Sequence, residues 1–356
     1  MRRKTSAGML LLVMGCGLAL AETTKRDTNG IQWMRDADKA SACAKKEGKL
    51  LLRLSGRADI EAMRHPFVVD VAQLFVPQLV TSEEGVLQVL SASDQALTET
   101  LPVGKDAAPV LKLMRDALRS ANMDVPKYLD MVVFENYANS RERATVFVAC
   151  YDPGEARLGG LEGVVMSRGG VFLPSRAELA QLSEETRKTL RYNEVVELFY
   201  DPTVLTYETI LQKATGLGCF GASVARTDEQ LKIAQQVLGA GRCMRSGMMP
   251  HKVTDKRPLS WYKEHHFNSL PLTEIQRSKL NSGVYSEETR EDTAYLDSLI
   301  FPCQIALRDE MTALREQKAR VPSSSGIGKK RDLESVGIHI TRMQRDLHEM
   351  RKEGKP

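Results

Sequence analysis

Residues 147–155 read FVACYDPGE, an apolar run that ends on Cys150 and breaks at once into Asp152-Pro153-Gly154. A thiol at the end of a buried strand, facing the start of a helix, meets unpaired backbone N–H groups and the positive end of the helix dipole. That setting favours the thiolate, and so a nucleophile. The same position equally suits a cysteine that packs as a small apolar side chain. Two other patterns are set aside on spacing. Gly216, Gly218 and Gly221 spell the dinucleotide fingerprint, but they follow a helix-like segment rather than a strand, so the phosphate-cradling turn is not expected. Cys243, His251, His265 and His266 are zinc-ligand types without Cys-x-x-Cys or His-x-x-x-His spacing. No metal and no cofactor are expected.

The compartment bears on that thiol. Arg2, Arg3 and Lys4 precede an apolar run from Met9 to Leu20 that closes on Ala19-Leu20-Ala21. This is the pattern of a secretory signal, residues 1–21, with the mature chain beginning at Glu22. An alternative cleavage before Cys16 would leave a lipid anchor and the only route to a membrane. No later run reaches the roughly 20 apolar residues of a spanning helix. A soluble or lipid-tethered exported protein, periplasmic or extracellular, is therefore expected. Of six cysteines, Cys43, Cys150, Cys219, Cys243 and Cys303 remain after the leader. An odd number in an oxidising compartment leaves at least one thiol free or intermolecular.

The net charge of +4 resides in the tail: from Lys318 to Pro356, ten basic residues stand against five acidic ones. The body is near neutral, which argues against a nucleic-acid reader.

The elements that position Cys150 come in two blocks. In the first, residues 28–140, Ile31, Met34, Ala37, Ala40 and Cys43 recur at three-residue steps on a helix, and on that stripe Cys43 reads as core. Leu50 to Leu54 and Phe75 to Val80 read as strands, with a short helix through Ala62 and Met63 between them. This order, with the phrase KKEGKLLLRLSG, resembles exported thioredoxin-like domains. The family's Cys-x-x-Cys is replaced here by Gly56-Arg57-Ala58-Asp59-Ile60-Glu61, so the resemblance implies the fold without the redox pair. Residues 82–142 read as helical through Val86–Leu90, Pro109–Leu118 and Pro126–Phe134, completing the first domain.

In the second block, 143–242, strands at Arg143–Cys150, Val164–Met166, Glu194–Phe199 and Ala222–Ala225 alternate with helices. The helices are expected at Gly154–Leu161, Ala177–Leu190, Tyr207–Ala214 and Asp228–Leu238. The fold class is α/β and α+β, with a largely buried sheet. Residues 243–318 are expected as a helical extension, with Thr273 capping a helix from Glu274 and another helix over Asp292–Glu316. Residues 319–330 form a linker. A basic amphipathic tail follows at 331–356, with Leu333, Val336, Ile340, Met343, Leu347 and Met350 on one seam. That helix, 333–350, docks on its own body or on a partner protein.

The stretches VFVACY with Gly154 and Glu155, LEGVV at 161–165, Gly169-Gly170, and NEVVELFYDP at 193–202 with Thr206-Tyr207 resemble the A-type peptide methionine sulfoxide reductases. That family shows GCFWG with a following Glu, then LPGV, a double Gly, and HAEVV leading to YDP and a Ser-Tyr pair. The agreement covers residues 144–238. It implies Cys150 as nucleophile on the sulfoxide sulfur and Glu194 as the acid that protonates the departing oxygen, kept un-ionised by its apolar setting. It implies Cys219, whose segment returns beside the same sheet, as the cysteine that resolves the sulfenic acid, with Cys243 second. Tyr151, Glu155 and Tyr192 fall on substrate-binding positions. The departures are Asp152 at the family's Trp, Pro153 at its Gly, Tyr192 at its His, and a loop cut to Thr215–Cys219 that drops the family's Asp and Tyr. The expected partner is a thioredoxin-type or other dithiol reductant. Two alternatives stand beside catalysis: a silent scaffold that binds a partner, and a purely structural Cys150–Cys219 bond.

Overall fold

In a computed structural model the chain is described over residues 30–57, 60–82, 85–138, 141–190, 194–246 and 267–320, with Thr341 and Arg345 besides. The expected leader with Cys16, most of the expected linker and the seam expected for the tail lie outside the described residues. The fold is mixed α and β with two sheets, and it divides into two compact units after Met123.

The first unit is built on β1 (Leu50–Ser55), where Leu51, Leu52 and Leu54 are fully buried. It pairs in parallel with β2 (Phe75–Val80) and antiparallel with β3 (Val86–Leu90), which carries the short β4 (Leu101–Pro102); the order is β2-β1-β3-β4. Helix α1 (Ala37–Glu47) starts where Asp36 accepts a bond from the Lys39 N–H at 3.0 Å, and it ends at Gly48, whose φ of 65° few other residues adopt. Its Ala40 and Ala44 pack on Leu51, Val76 and Leu90. Helix α2 (Pro66–Ala72) links β1 to β2, and α3 (Ala107–Ser120), capped by Asp106, follows β4. The helical reading of Val86–Leu90 is corrected here. Leu87 and Val89 are buried on one face, and the whole run pairs with β1, so long-range pairing decided a segment too short to show a helical period.

Helix α4 (Lys127–Tyr137), expected to complete the first domain, belongs to the second unit. There β5 (Glu142–Val148), α5 (Tyr151–Gly159), β6 (Val164–Val171), α6 (Arg176–Leu179), α7 (Glu184–Thr189), β7 (Glu194–Tyr200), α8 (Tyr207–Thr215), β8 (Phe220–Ala225), α9 (Asp228–Leu238) and β9 (Cys243–Arg245) follow one another. The sheet order is β6-β7-β5-β8-β9. The first four strands pair antiparallel with one another, and β9 is parallel to β8. Thus β5-α5-β6 and β7-α8-β8 are two interleaved split βαβ units, each with a strand of the other between its own two. One sheet face, with Val146, Val148, Val196, Leu198 and Tyr200, packs on side chains of α5, α8 and α9. The other, with Phe147, Val195, Ala222, Val224 and Met244, packs on Phe172 and Leu182.

Three further expectations are corrected. The helix foreseen over Ala177–Leu190 is two, because the Ser183 hydroxyl caps the second by accepting the Thr186 N–H at 3.1 Å. Cys243 lies in β9, which extends the sheet beyond the expected four strands. The helix foreseen over Asp292–Glu316 is broken into α11 (Thr293–Asp297) and α12 (Pro302–Arg320), Pro302 lacking the N–H a continuous helix would use. Between β9 and α11, helix α10 (Glu274–Tyr285) opens with a capping box of Thr273 and Gln276. The Glu135 carboxylate of α4 also accepts bonds from the N–H groups of Glu274 and Ile275, at 3.4 and 3.1 Å.

Candidate thiol site at the end of the central strand

Strand β5 finishes its pairing at Val148, opposite Phe220, and the next N–H, of Ala149, donates to the Cys219 carbonyl at 2.9 Å. Cys150 then leaves the strand with φ −115° and ψ 60° and becomes the N-cap of α5; its carbonyl accepts the Gly154 N–H at 2.7 Å. Gly154 suits a helix that starts close against the strand: a Cβ there would lie 3.2 Å from Val148 Cγ2, which would have to give way by a few tenths of an ångström. Cys219 arrives from the short loop after α8, turned by Gly218 at φ 75°. The two cysteines are joined as a disulfide, with Cα atoms 5.7 Å apart. Both residues are half-buried and Ala149 is exposed, so the pair lies at the rim of the fold, with Cys219 packed against the edge of the core that α8 covers.

Glu194 opens β7 opposite Val171, and the next residue, Val195, is the partner of Phe147. The start of β7 therefore lies beside the end of β5. Alternation puts Glu194 on the face of Val196, the face that α5 covers. Glu194 is half-buried there. Tyr151 is the first residue of α5, and Tyr192 lies outside the described residues.

Glu155 is 3% exposed, and its Oε1 accepts a bond from the Ser167 hydroxyl of β6 at 3.2 Å. The Ser167 N–H in turn donates to Ser278 of α10 at 2.9 Å. This carboxylate ties α5 to the sheet and, through the two serines, to α10.

Much of the EVVELFYDP stretch holds structure. Glu197 is buried and meets Arg143 Nε at 3.6 Å and Arg226 Nη2 at 3.5 Å. Burial pushes its carboxyl upward, against the pull of Arg143, Arg226 and Arg168. Asp201 Oδ1 accepts the Thr203 N–H at 2.8 Å, and the Asp201 N–H donates to the Gly163 carbonyl at 2.9 Å. Thr206 caps α8, while Tyr207 is buried, its hydroxyl pushed up to about 12 by loss of solvent.

Lys279 is a residue the sequence did not single out. From α10 its Nζ donates to the carbonyls of Gly159, Gly160 and Leu161, at 3.3, 3.2 and 2.5 Å. These lie at the C-terminal end of α5. Burial holds the amine down to about 8, with Glu162 pulling the other way.

Among the described residues no group of three or more His, Cys, Asp or Glu is placed to hold a metal ion; His251, His265 and His266 lie outside them. No helix among the described residues is long and apolar enough to cross a membrane. No protein-family model matches the chain. A search of curated proteins finds no match either.

Proposed function

We propose that the chain is an exported thiol oxidoreductase that reduces methionine sulfoxide or a related oxidised sulfur at Cys150. The observation that carries this reading is the pairing of Cys150, at the mouth of α5, with Cys219 on the rim of the sheet, next to the strand that Glu194 begins. The order β2-β1-β3-β4 supports a thioredoxin-like first unit, and the interleaved sheet supports a reductase-like second one.

The first turn of α5 offers unpaired N–H groups and a positive dipole end to a Cys150 thiolate. That thiolate attacks the sulfoxide sulfur while Glu194 protonates its oxygen, giving an adduct in which the two sulfurs are bonded and the substrate sulfur carries a hydroxyl. The hydroxyl passes to the Cys150 sulfur as the bond between the sulfurs breaks, so methionine departs as the thioether and Cys150 is left as a sulfenic acid. The Cys219 thiol then attacks the Cys150 sulfur, water leaves, and the disulfide is the product. Two electrons from an external dithiol reopen it. No step draws on the first unit, which carries Gly56 and Arg57 after its central strand instead of a cysteine pair.

The test is turnover of a methionine sulfoxide peptide with dithiothreitol as reductant. The wild type turns over and Cys150→Ser does not. Cys219→Ser, reduced beforehand and given the peptide without dithiothreitol, is expected to release one equivalent of methionine and stop, leaving a sulfenic acid that dimedone traps on Cys150. A wild type that shows no turnover, with a Cys150–Cys219 bond that survives mild reductant, would replace this reading with a scaffold closed by a structural disulfide.

A further inference from the structure

We propose that Lys279 sets the reactivity of Cys150 from the opposite end of α5, by holding a positive charge on that helix's terminal carbonyls. The inference rests on Cys150 acting as a thiol nucleophile.

The last carbonyls of a helix have no partner within it, and together they carry its negative pole. Lys279 meets three of the carbonyls at this end at once. Its position is fixed by close packing of α10 on α5. A Cβ on Gly160 would lie 2.1 Å from Ser282 Oγ, and one on Gly159 would lie 3.6 Å from Ser278 Cβ. Helix α5 has nine residues, hence a length of about 13 Å, and Cys150 is its N-cap. A cation at the far end reinforces the field that the helix projects onto the sulfur, and a thiolate reciprocally favours the charged lysine.

Several charges on the elements packed against α10 have partners of their own. On α5, Glu155 is bonded to Ser167, and the Arg157 guanidinium lies 5.6 Å from the Tyr285 ring. On α4, Glu135 serves the N-terminus of α10, and Lys127 sits over Tyr295. On β6, Arg168 lies over Phe199. On α11, Asp297 pairs with Arg308. Glu162, just past the end of α5, is the acidic group that favours the charged amine. Because burial lowers the amine to about 8, its charge disappears within an accessible pH range. Below that pH the charge is present and the Cys150 thiol ionises more readily; above it the help is withdrawn.

The experiment uses the reduced full chain carrying Cys219→Ser, so that Cys150 stays a free thiol. The rate of its alkylation by iodoacetamide is followed against pH by peptide mass mapping. Lys279→Met and Lys279→Gln are expected to move the midpoint up by about half a pH unit, roughly threefold in rate below it. Lys279→Arg, charged throughout, is expected to keep the wild-type midpoint. Lys279→Gln retains donors for the carbonyls, so it decides the matter where Lys279→Met does not fold. An unchanged midpoint in folded Lys279→Gln overturns the proposal, as does an equal shift in Lys279→Arg. Alkylation does not depend on sulfoxide turnover. The expected shift in a protein without turnover would uphold the coupling and overturn the reductase reading alone.

Discussion

Replacing Glu194 by Gln keeps the shape of the side chain at the start of β7 and removes the only proton it has to give. If that proton goes to the departing oxygen, sulfoxide turnover should fall about 10²- to 10⁴-fold. Alkylation of Cys150 should not change, since iodoacetamide needs no acid. A variant with full turnover would take Glu194 out of the chemistry. At this scale the sequence was partly readable. Cys150 stood out because it ends an apolar run just before Asp-Pro-Gly, a position that suits a helix-capping thiolate as well as a packed apolar side chain. Glu155 was legible as a carboxylate, but its burial against Ser167 depends on a strand twelve residues on. Lys279 was not legible at all. It looks like any exposed-face lysine until the fold brings it to carbonyls about 120 residues back in the chain.

The elements explain how LEGVV and YDP are tied together in this chain. Gly163 has φ 85°, and a Cβ on it would lie 2.7 Å from the Cβ of Leu205, so both its backbone and its surroundings demand glycine. Its carbonyl receives the Asp201 N–H, so the two stretches brace the entry to β6 against the exit from β7. Gly163→Ala is therefore expected to cost about 2–3 kcal/mol, read as a lower urea midpoint with an unchanged slope. A loss within 0.5 kcal/mol would mean the turn relaxes freely. Long periodic helices such as those at Tyr207 and Asp228 were readable from the sequence, since an amphipathic face is a local signal. Val86–Leu90 was not, because its partner strand lies some 35 residues earlier and five apolar residues fit either period. The split at Ser183 was also hidden, its cap being one hydroxyl within a helix-forming run.

Each unit of the molecule has its own core and its own sensitivity to pH. In the first, His65 Nδ1 accepts the Phe67 N–H at 3.2 Å, and burial holds the imidazole down to about 4. An unfolded chain titrates this group near 6.5, so between about 4 and 6.5 the unfolded state binds more protons. Stability from this group is complete above that window and is lost as pH falls through it, by an amount on the order of 3 kcal/mol. His65→Asn keeps an N-cap and should flatten the slope of urea midpoints measured from pH 4 to 8, with Trp33 emission as the probe. A slope that persists in the variant would assign the effect to other groups. The second unit carries a covalent consequence of its own. Leu173, among the most exposed apolar side chains, lies in the connection after β6, inside the stretch that the Cys150–Cys219 bond encloses. A protease that nicks the chain there leaves the fragments fastened together, so they migrate as one band on a gel and separate only when the bond is reduced.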